Sequence, residues 1–179
     1  AFFYWGASVL PVLRFMTLYS FVKRNPTWEA VLYMPDKLFI GNESKHKHPP
    51  RWSRWGKQSG DEKDYVHLVN KINVRIVKID FDTLGISNNI HEIHKSDFLR
   101  YHLLTSQGGL WSDMDILFIK PMEYISCNKA DYRNIKNFIY ICKSKERPHN
   151  LIHSIGFLMS IAGSRFYYDI FNTAKQVYN

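Results

Sequence analysis

Cysteines, acidic residues and long apolar runs are all scarce in this chain of 179 residues. Its two cysteines, Cys127 and Cys142, are too few for a disulfide framework and lack the close spacing of a zinc site. Apolar runs stay well short of the ~20 residues that span a membrane, and no secretory leader is evident. These absences argue against a disulfide-stapled scaffold, a structural zinc domain and a membrane span within this segment.

Acidic residues number 16 against 24 lysines and arginines, which leaves a formal net charge of +8. An excess of this sign suits a nucleic-acid surface, but it suits equally a pocket for a diphosphate or an anionic glycan. The length fits one domain with a sizeable core. We therefore expect a single domain over residues 1–179. Because it starts inside a strand and stops at a helix, we expect this domain to be truncated at both ends.

The beginning of the chain has the pattern of an α/β unit. We predict an apolar strand over residues 2–6 and a second strand, rich in aromatic and aliphatic side chains, over residues 28–34. Between them, Ser8 and Pro11 signal the start of a helix that ends near Asn25. Strand, helix and strand in this order predict parallel pairing, with ligands bound at the carboxyl ends of the strands.

A polar, basic segment over residues 41–63 is predicted to be a long loop. His46 and His48 lie close together, but the surrounding lysines and prolines favour a mobile surface loop over a metal site. Trp52 and Trp55 indicate a contact surface that folds over a ligand or touches a second substrate, with local packing as the alternative.

The remaining elements follow from apolar periodicity and turn residues. We predict a short helix over 64–70, strands over 74–79, 138–142 and 152–161, and a helix over 165–178.

The strongest chemical signal begins with a helix predicted over residues 95–107. Ser96 is a plausible N-cap, and the glycine pair at 108–109 ends the helix. A strand should follow, with the acidic residues at its end and a compact apolar run over 116–119 behind them.

Asp113 and Asp115 are therefore expected two residues apart in extended chain. Residues at this spacing in a strand point to the same side, so both carboxylates can face one ligand. Hard divalent cations such as Mg²⁺ and Mn²⁺ are bound by one or two carboxylates, with substrate phosphates completing the shell. A solvated turn is the alternative for this pair, because the spacing alone is a weak signal.

Two further groups need separate interpretations. Asp97 and Arg100 lie three residues apart on one face of the predicted helix, where they approach the acidic pair or form a simple surface ion pair. In the first case, replacing Arg100 with alanine should lower activity and hardly change stability. Asp80 and Asp82 repeat the acidic spacing, but no paired glycines precede them, so strand-end capping is favoured.

The residues from 96 to 115, with the pattern SDxxRxxxLxxxGGxWxDxD, resemble the DXD-motif glycosyltransferase family. This family includes initiating mannosyltransferases, capsular polysaccharide transferases and clostridial glucosylating toxins. The resemblance implies a GT-A-type fold, an α/β architecture with a doubly wound, mainly parallel sheet flanked by helices. It also implies a UDP- or GDP-sugar donor and a Mn²⁺ or Mg²⁺ cofactor.

By the same resemblance, Asp115 binds the metal that holds the donor diphosphate. Asp113 contacts ribose or sugar and assists the metal, and Asp97 holds sugar hydroxyls. Arg100 reaches the sugar or the diphosphate, which makes Asp113, Asp115 and Arg100 the expected catalytic group. Trp111 stands where the family usually has tyrosine, so a wall or stacking role is expected in place of a hydroxyl contact.

The first strand supplies the remaining expected contacts. Residues 3–6 resemble the family's first strand, where an aromatic residue stacks on the nucleobase. Trp5 is the candidate for this stacking, with a core tryptophan as the alternative, and Tyr4 is expected beside it in the donor-binding surface.

The function that follows is metal-dependent transfer of a sugar to a glycan, lipid-linked or protein acceptor, with retention implied at the anomeric carbon. A nucleotidyltransferase would need a glycine-rich phosphate loop near the first strand, and residues 6–8 contain too few glycines for one. A non-enzymic glycan- or nucleic-acid-binding domain is the alternative, and it predicts metal-independent, salt-sensitive binding. No nucleic-acid partner is expected. A cytoplasmic location is favoured, while a membrane-associated or Golgi-lumenal one stays open through an anchor outside this segment.

Overall fold

The computed structural model describes residues 1–7, 9–39, 63–125, 136–143 and 151–178. Almost all of the predicted basic loop, including His46, His48, Trp52 and Trp55, lies outside these residues.

Six strands and four α-helices make up the described fold. The strands are β1 (Phe2–Tyr4), β2 (Ala30–Pro35), β3 (Val74–Ile79), β4 (Gly109–Ser112), β5 (Asn137–Lys143) and β6 (Leu151–Ser160). The helices are α1 (Val12–Arg24), α2 (Val66–Val69), α3 (Glu92–Ser106) and α4 (Arg165–Tyr178). Three 3₁₀ turns join them, at Asn70–Ile72, Phe81–Leu84 and Met122–Ile125.

All six strands form one sheet in the order β3-β2-β1-β4-β6-β5. The first four run parallel, with Phe3 opposite Leu32 and Phe2 opposite Trp111. At the other end, β6 pairs antiparallel with both β4 and β5. The predicted α/β, doubly wound and mainly parallel architecture is confirmed, and the carboxyl ends of β1 and β4 lie side by side.

Alternating side chains of the central strands feed two cores on opposite faces of the sheet. Phe3 and Leu32 pack on the face covered by α1, together with Leu18 and Phe21 of that helix. The other face is covered by α3 and α4. Its main members are Phe2, Tyr4, Val31, Tyr33, Phe98, Leu99, Leu103, Leu104, Trp111 and Tyr167. Helices on both faces hold the strand ends of the sheet in a fixed frame.

The start of α3 differs from the sequence prediction. The helix begins at Glu92, three residues before the predicted start, and Ser96 lies inside it. The cap is His91, whose Nδ1 accepts a hydrogen bond from the Ile93 amide at 3.2 Å. An imidazole can take the capping role of a serine oxygen because both accept from a free first-turn N–H.

The predicted continuation of β4 is also wrong. β4 ends at Ser112, and residues 116–119, all of which the structure describes, run outside the sheet. The Phe118 amide donates to Ser20 Oγ at 3.0 Å, and the Met122 amide donates to Asn25 Oδ1 at 2.7 Å. Side chains of α1 and of its C-cap Asn25 thus accept the backbone hydrogen bonds that a neighbouring strand would have accepted. Asp113 and Asp115 therefore lie in a turn and not in extended chain.

Among the helices that the structure describes, none has both the length and the apolar character needed to cross a membrane.

Candidate functional site

The acidic turn, residues 113–115, projects from the carboxyl end of β4 between β1 and β6. Met114 points inward and is only 5% exposed, while Asp115 is exposed and Asp113 is half-buried. The Met114 carbonyl accepts from Thr17 Oγ1 and from a terminal nitrogen of Arg14, each at 2.9 Å. The Asp113 amide donates to the Gly156 carbonyl at 2.7 Å. Both sides of the turn are thereby anchored, so the two carboxylates are held outward.

Arg100 is the buried cation of this site. Its side chain is 4% exposed, and one terminal nitrogen lies 2.8 Å from Asp97 Oδ1 and 3.6 Å from Asp113 Oδ1. The other terminal nitrogen donates to the Ile155 carbonyl. Within the described residues, Arg100 Nε has no hydrogen-bond partner. The three-residue spacing of Asp97 and Arg100 does produce an ion pair, but a buried one directed at the acidic turn.

Trp111 supports both Arg100 and Asp113. Its ring is fully buried, and the Arg100 guanidinium lies 5.1 Å from the ring centroid. Its indole Nε1 donates to Asp113 Oδ1 at 3.0 Å. A tryptophan can therefore fix an arginine by a cation–π contact and a carboxylate by a hydrogen bond. The side chain forms the inner wall of the site.

Asp97 and Gly156 shape the opposite side. Burial raises the pKa of Asp97 above its ordinary value, while the Arg100 charge acts in the opposite direction. Gly156 of β6 passes so close to the turn that an added Cβ would lie 2.8 Å from Asp113 Oδ2. A side chain at position 156 would push the Asp113 carboxylate out of place.

Trp5 follows β1 and packs against the core on the face covered by α1. Its Nε1 donates to the Val9 carbonyl at 2.7 Å, and its ring is partly exposed. The Arg14 guanidinium carbon lies 5.7 Å from the centroid of this ring. Burial lowers the pKa of Arg14, and the carboxylates of Asp115 and Asp113 oppose that shift. Sequence reasoning missed Arg14 because it stands in α1, about 100 residues before the motif.

Tyr4 is placed differently from Trp5. Its ring is 7% exposed, and its hydroxyl donates to Glu92 Oε2. Burial and the neighbouring carboxylate raise the pKa of Tyr4 far above its ordinary value. Contact between this hydroxyl and a substrate would require the bond to Glu92 to break.

Glu92 joins several elements at this end of the sheet, and sequence reasoning missed it. Its Oε1 accepts from the Phe39 amide at 2.8 Å and from Lys95 Nζ at 2.9 Å. Lys95 is fully buried and also donates to the Lys37 carbonyl at 2.8 Å. The polar pattern of Glu92 and Lys95 at i and i+3 was the available signal. This network fixes the loop after β2 against α3 and Tyr4.

The chemistry of the acidic turn fits a divalent metal. The part of the chain that the structure describes holds no cluster of three or more His, Cys, Asp or Glu side chains able to bind a metal alone. Magnesium-type sites commonly use one or two carboxylates and complete the shell with substrate phosphates and water. Exposed Asp115 and half-buried Asp113 supply such a partial set, so a metal here would bind more tightly with a phosphate ligand than alone.

The second acidic pair is engaged in its own loop. Asp80 Oδ1 accepts from the Asp82 amide at 3.1 Å and from Asn88 Nδ2 at 2.6 Å. Asp82 Oδ1 accepts from the Asn88 amide at 3.0 Å. The bond from Asn88 comes first among the causes that lower the pKa of Asp80, which caps the 3₁₀ turn after β3. The predicted strand-end capping is confirmed.

An open cleft of about 440 Å³ lies next to the acidic turn but does not include it. α1 lines one side with Met16, Tyr19 and Lys23, and Leu117 and Ile119 line the other. The cleft contains neither Asp113 nor Asp115, so the site rests on the carboxylates and arginines and not on this depression.

Comparison with known proteins supplies a family. Residues 14–134, more than half of the chain, match the model of the glycosyltransferase sugar-binding region containing the DXD motif. A stretch of 44 residues is 50% identical to the initiation-specific alpha-1,6-mannosyltransferase of Saccharomyces cerevisiae (strain ATCC 204508 / S288c). That stretch is 24% of this chain and 9% of the yeast protein, so the match concerns a small part of that protein's length.

The fold is similar to a solved structure titled PaToxG Glycosyltransferase, with a TM-score of 0.60 and 13% sequence identity. The alignment covers 99% of this chain and 59% of that one. At this identity the likeness concerns the fold alone, and it confirms the GT-A-type architecture that the resemblance implied.

Proposed function

Because this chain belongs to the family of glycosyltransferase sugar-binding regions containing the DXD motif, we propose that it moves a sugar from a nucleotide-diphospho-sugar to an acceptor. The single observation that carries the proposal is the acidic turn, with Asp113 and Asp115 held outward and Arg100 3.6 Å from Asp113. Carboxylates kept beside a buried arginine at the carboxyl ends of parallel strands suit a polar, charged ligand.

The proposed roles of the acidic turn, the metal and Arg100 follow from the charge that develops during the reaction. Breaking the bond between the anomeric carbon and the diphosphate builds negative charge on the leaving phosphate. A divalent metal held by Asp115 and Asp113 would neutralise part of that charge as a Lewis acid. Arg100 adds a fixed positive charge that needs little reorganisation, since Asp97, Trp111 and the Ile155 carbonyl already hold it. Pre-organised charge of this kind is worth more than the same charge in water.

The other expected contacts follow the placement of each side chain. Asp97, partly exposed and paired with Arg100, is suited to accept sugar hydroxyls. Trp5, partly exposed after β1, is the candidate for stacking on the nucleobase. Tyr4 and Trp111 are buried, so their part is to support Glu92, Arg100 and Asp113 behind the donor.

We propose a UDP- or GDP-sugar as the donor and Mn²⁺ or Mg²⁺ as the metal. The acceptor is a glycan, a lipid-linked molecule or a protein, and transfer retains the configuration at the anomeric carbon. The chain spans only part of the relatives it matches, so donor handling and acceptor transfer need separate tests.

The testing experiment is a calorimetric screen of UDP- and GDP-sugars with Mn²⁺, with Mg²⁺ and with EDTA. We expect one nucleotide series to bind with metal and to lose binding in EDTA. Donor hydrolysis to water and transfer to acceptor are then measured separately. Absence of nucleotide-sugar binding in every arm would remove the proposal.

The net charge of +8 supports one alternative, a glycan- or nucleic-acid-binding domain without catalysis. Such binding should weaken steeply with salt and should ignore EDTA. The same screen, repeated at two salt concentrations with an anionic glycan and a single-stranded oligonucleotide, separates the two functions.

A further inference from the structure

Arg14 occupies the space between the two ends of the proposed donor site. One terminal nitrogen donates to the Met114 carbonyl, in the middle of the acidic turn, at 2.9 Å. Its guanidinium carbon lies 5.7 Å from the centroid of the Trp5 ring. The guanidinium therefore contacts the metal-side turn through one nitrogen and lies over the base-side aromatic ring.

Anchoring the Met114 carbonyl does not by itself require a charged side chain at this position. Thr17 Oγ1 donates to the same Met114 carbonyl at the same 2.9 Å, so a neutral hydroxyl already provides one anchor. The positive charge of Arg14, by contrast, interacts with both Asp115 and Asp113. Arg14 is partly exposed and its guanidinium keeps its charge, so a ligand at the acidic turn can approach that charge.

We propose that Arg14 binds the diphosphate of the nucleotide-sugar donor, in an inference that rests on the proposed function. A diphosphate links the nucleoside to the metal, so it must cross the interval between Trp5 and Asp115. Arg14 lies in that interval, and planar guanidinium groups suit phosphate oxygens because they donate two parallel hydrogen bonds.

The charges of the site support the same assignment. Two carboxylates and a diphosphate bring negative charge that a divalent metal alone does not balance. Arg100 and Arg14 approach the acidic turn from α3 and α1, so together with the metal they bring the site close to neutrality. Of the two arginines, Arg14 is the one nearer to the proposed nucleoside position at Trp5.

Two binding measurements distinguish diphosphate binding by Arg14 from a purely structural role, because the affinities for Mn²⁺ alone and for a nucleoside diphosphate should respond differently when the charge is removed. A positive charge near Asp115 and Asp113 repels a divalent cation when no donor is bound, but it attracts the diphosphate. Removing the charge should leave the binding of Mn²⁺ alone unchanged or tighter, and it should weaken the binding of a nucleoside diphosphate. Loss of a mere anchor would disorder the turn and weaken both.

The experiment measures Mn²⁺ alone by electron paramagnetic resonance, and UDP and GDP with Mn²⁺ by calorimetry. The variants are Arg14→Gln, Arg14→Lys and the matched control Thr17→Val, which removes the other bond to the Met114 carbonyl. For whichever nucleotide the wild type binds, Arg14→Gln should weaken affinity about 10- to 100-fold, the range of a lost charge-assisted contact. Arg14→Lys should restore part of it, and Thr17→Val should show no such difference between metal and nucleotide. The free nucleoside should bind the wild type and Arg14→Gln equally.

Three results would overturn the assignment. One is unchanged nucleoside diphosphate binding in Arg14→Gln, and another is a parallel loss of Mn²⁺ and nucleotide binding, which would make Arg14 an anchor. Both leave the proposed function standing, because wild-type binding persists. Absence of metal-dependent nucleoside diphosphate binding by the wild type would remove the proposed function and this inference together.

Discussion

Two acidic pairs with the same spacing follow parallel strands of one sheet, yet they meet different surroundings. After β3, Asp80 and Asp82 accept hydrogen bonds from their own loop, mainly from Asn88. After β4, Asp113 and Asp115 face arginines that come from two other elements, Arg100 of α3 and Arg14 of α1. The middle residue is buried in both pairs, so local geometry does not separate them.

This difference shows that the groups around a carboxylate determine whether it caps a turn or is available to a ligand. Hydrogen bonds from short-range neutral donors hold the first pair as a cap that completes a turn. Cations brought from distant elements leave the second pair in a field suited to a charged ligand. The predictions below test this distinction in order of decreasing expected effect.

Asp115→Asn should cause the largest loss. Because Asp115 is the exposed carboxylate of the turn, its neutralisation should lower metal-dependent donor hydrolysis by roughly two decades or more. Asp113→Asn should lose less, since the amide still accepts from Trp111. Initial rates at saturating Mn²⁺ provide the measurement, with Asp82→Asn as the matched control. Equal losses in Asp82→Asn and Asp115→Asn would abolish the distinction between the pairs.

Arg100→Ala should reduce both activity and stability. The lost charge-assisted contact is worth about 1.5 to 3 kcal/mol, or roughly one to two decades in transfer efficiency. In contrast to the expectation from sequence, the fold predicts a loss of stability, because Arg100 is buried and its removal takes this partner from the Asp97 carboxylate. Steady-state kinetics and thermal melting measure the two effects.

Arg165→Ala is the matched control for Arg100→Ala, since Arg165 forms an exposed ion pair with Asp169 on α4. Neither the activity nor the melting temperature should change measurably in that variant. A lower melting temperature in Arg100→Ala without any selective loss of donor turnover would make the buried pair purely structural.

Asn88→Ala should destabilise the fold and spare the donor site. Asn88 Oδ1 accepts from the buried Phe81 amide at 3.1 Å, so its removal leaves that N–H without a partner. The free energy of unfolding should fall by about 1 to 3 kcal/mol in urea titrations. Nucleotide binding by the folded fraction should stay at the wild-type level, and a loss of binding there would link the first acidic pair to the ligand.

Asp80→Asn should give the smallest effect, visible only as a change in pH dependence. The bond from Asn88 holds the pKa of Asp80 below its ordinary value of 3.8, so the unfolded chain binds its proton first as pH falls. The contribution of Asp80 to stability is therefore present above the unfolded pKa and is lost as pH falls through the folded pKa. Unfolding titrations between neutral and acidic pH should show a shallower acid loss in Asp80→Asn. An unchanged slope would show that the cap carries no such linkage.

Much of the fold was predictable because it depends on local patterns. The bounds of β3 and α4 match the predictions residue for residue, since each has a clear apolar period and a marked end. The end of β4 was not predictable. Leucine, isoleucine and phenylalanine over 116–119 favour a strand, but Ser20 of α1 accepts from the Phe118 amide, and Asn25, which caps α1, accepts from the Met122 amide.

The residues of the candidate site also fall into those that sequence could predict and those that it could not. Asp97, Arg100, Trp111, Asp113 and Asp115 lie within 19 residues of sequence. The structure joins the first four by direct contacts, and Asp115 follows them in the same turn. Arg14 and Glu92 escaped prediction because their roles depend on which elements the sheet topology sets side by side. The use of Tyr4 as a donor to Glu92 could not be foreseen for the same reason.

The central claim is that the pair after β4 binds the metal and its diphosphate, whereas the pair after β3 builds a turn. Calorimetry of UDP and GDP in Mn²⁺ tests it on two double variants, Asp113→Asn with Asp115→Asn and Asp80→Asn with Asp82→Asn. We predict that the first variant loses metal-dependent binding while staying folded and that the second keeps the wild-type affinity. Retained binding in the first variant together with lost binding in the second would contradict the account.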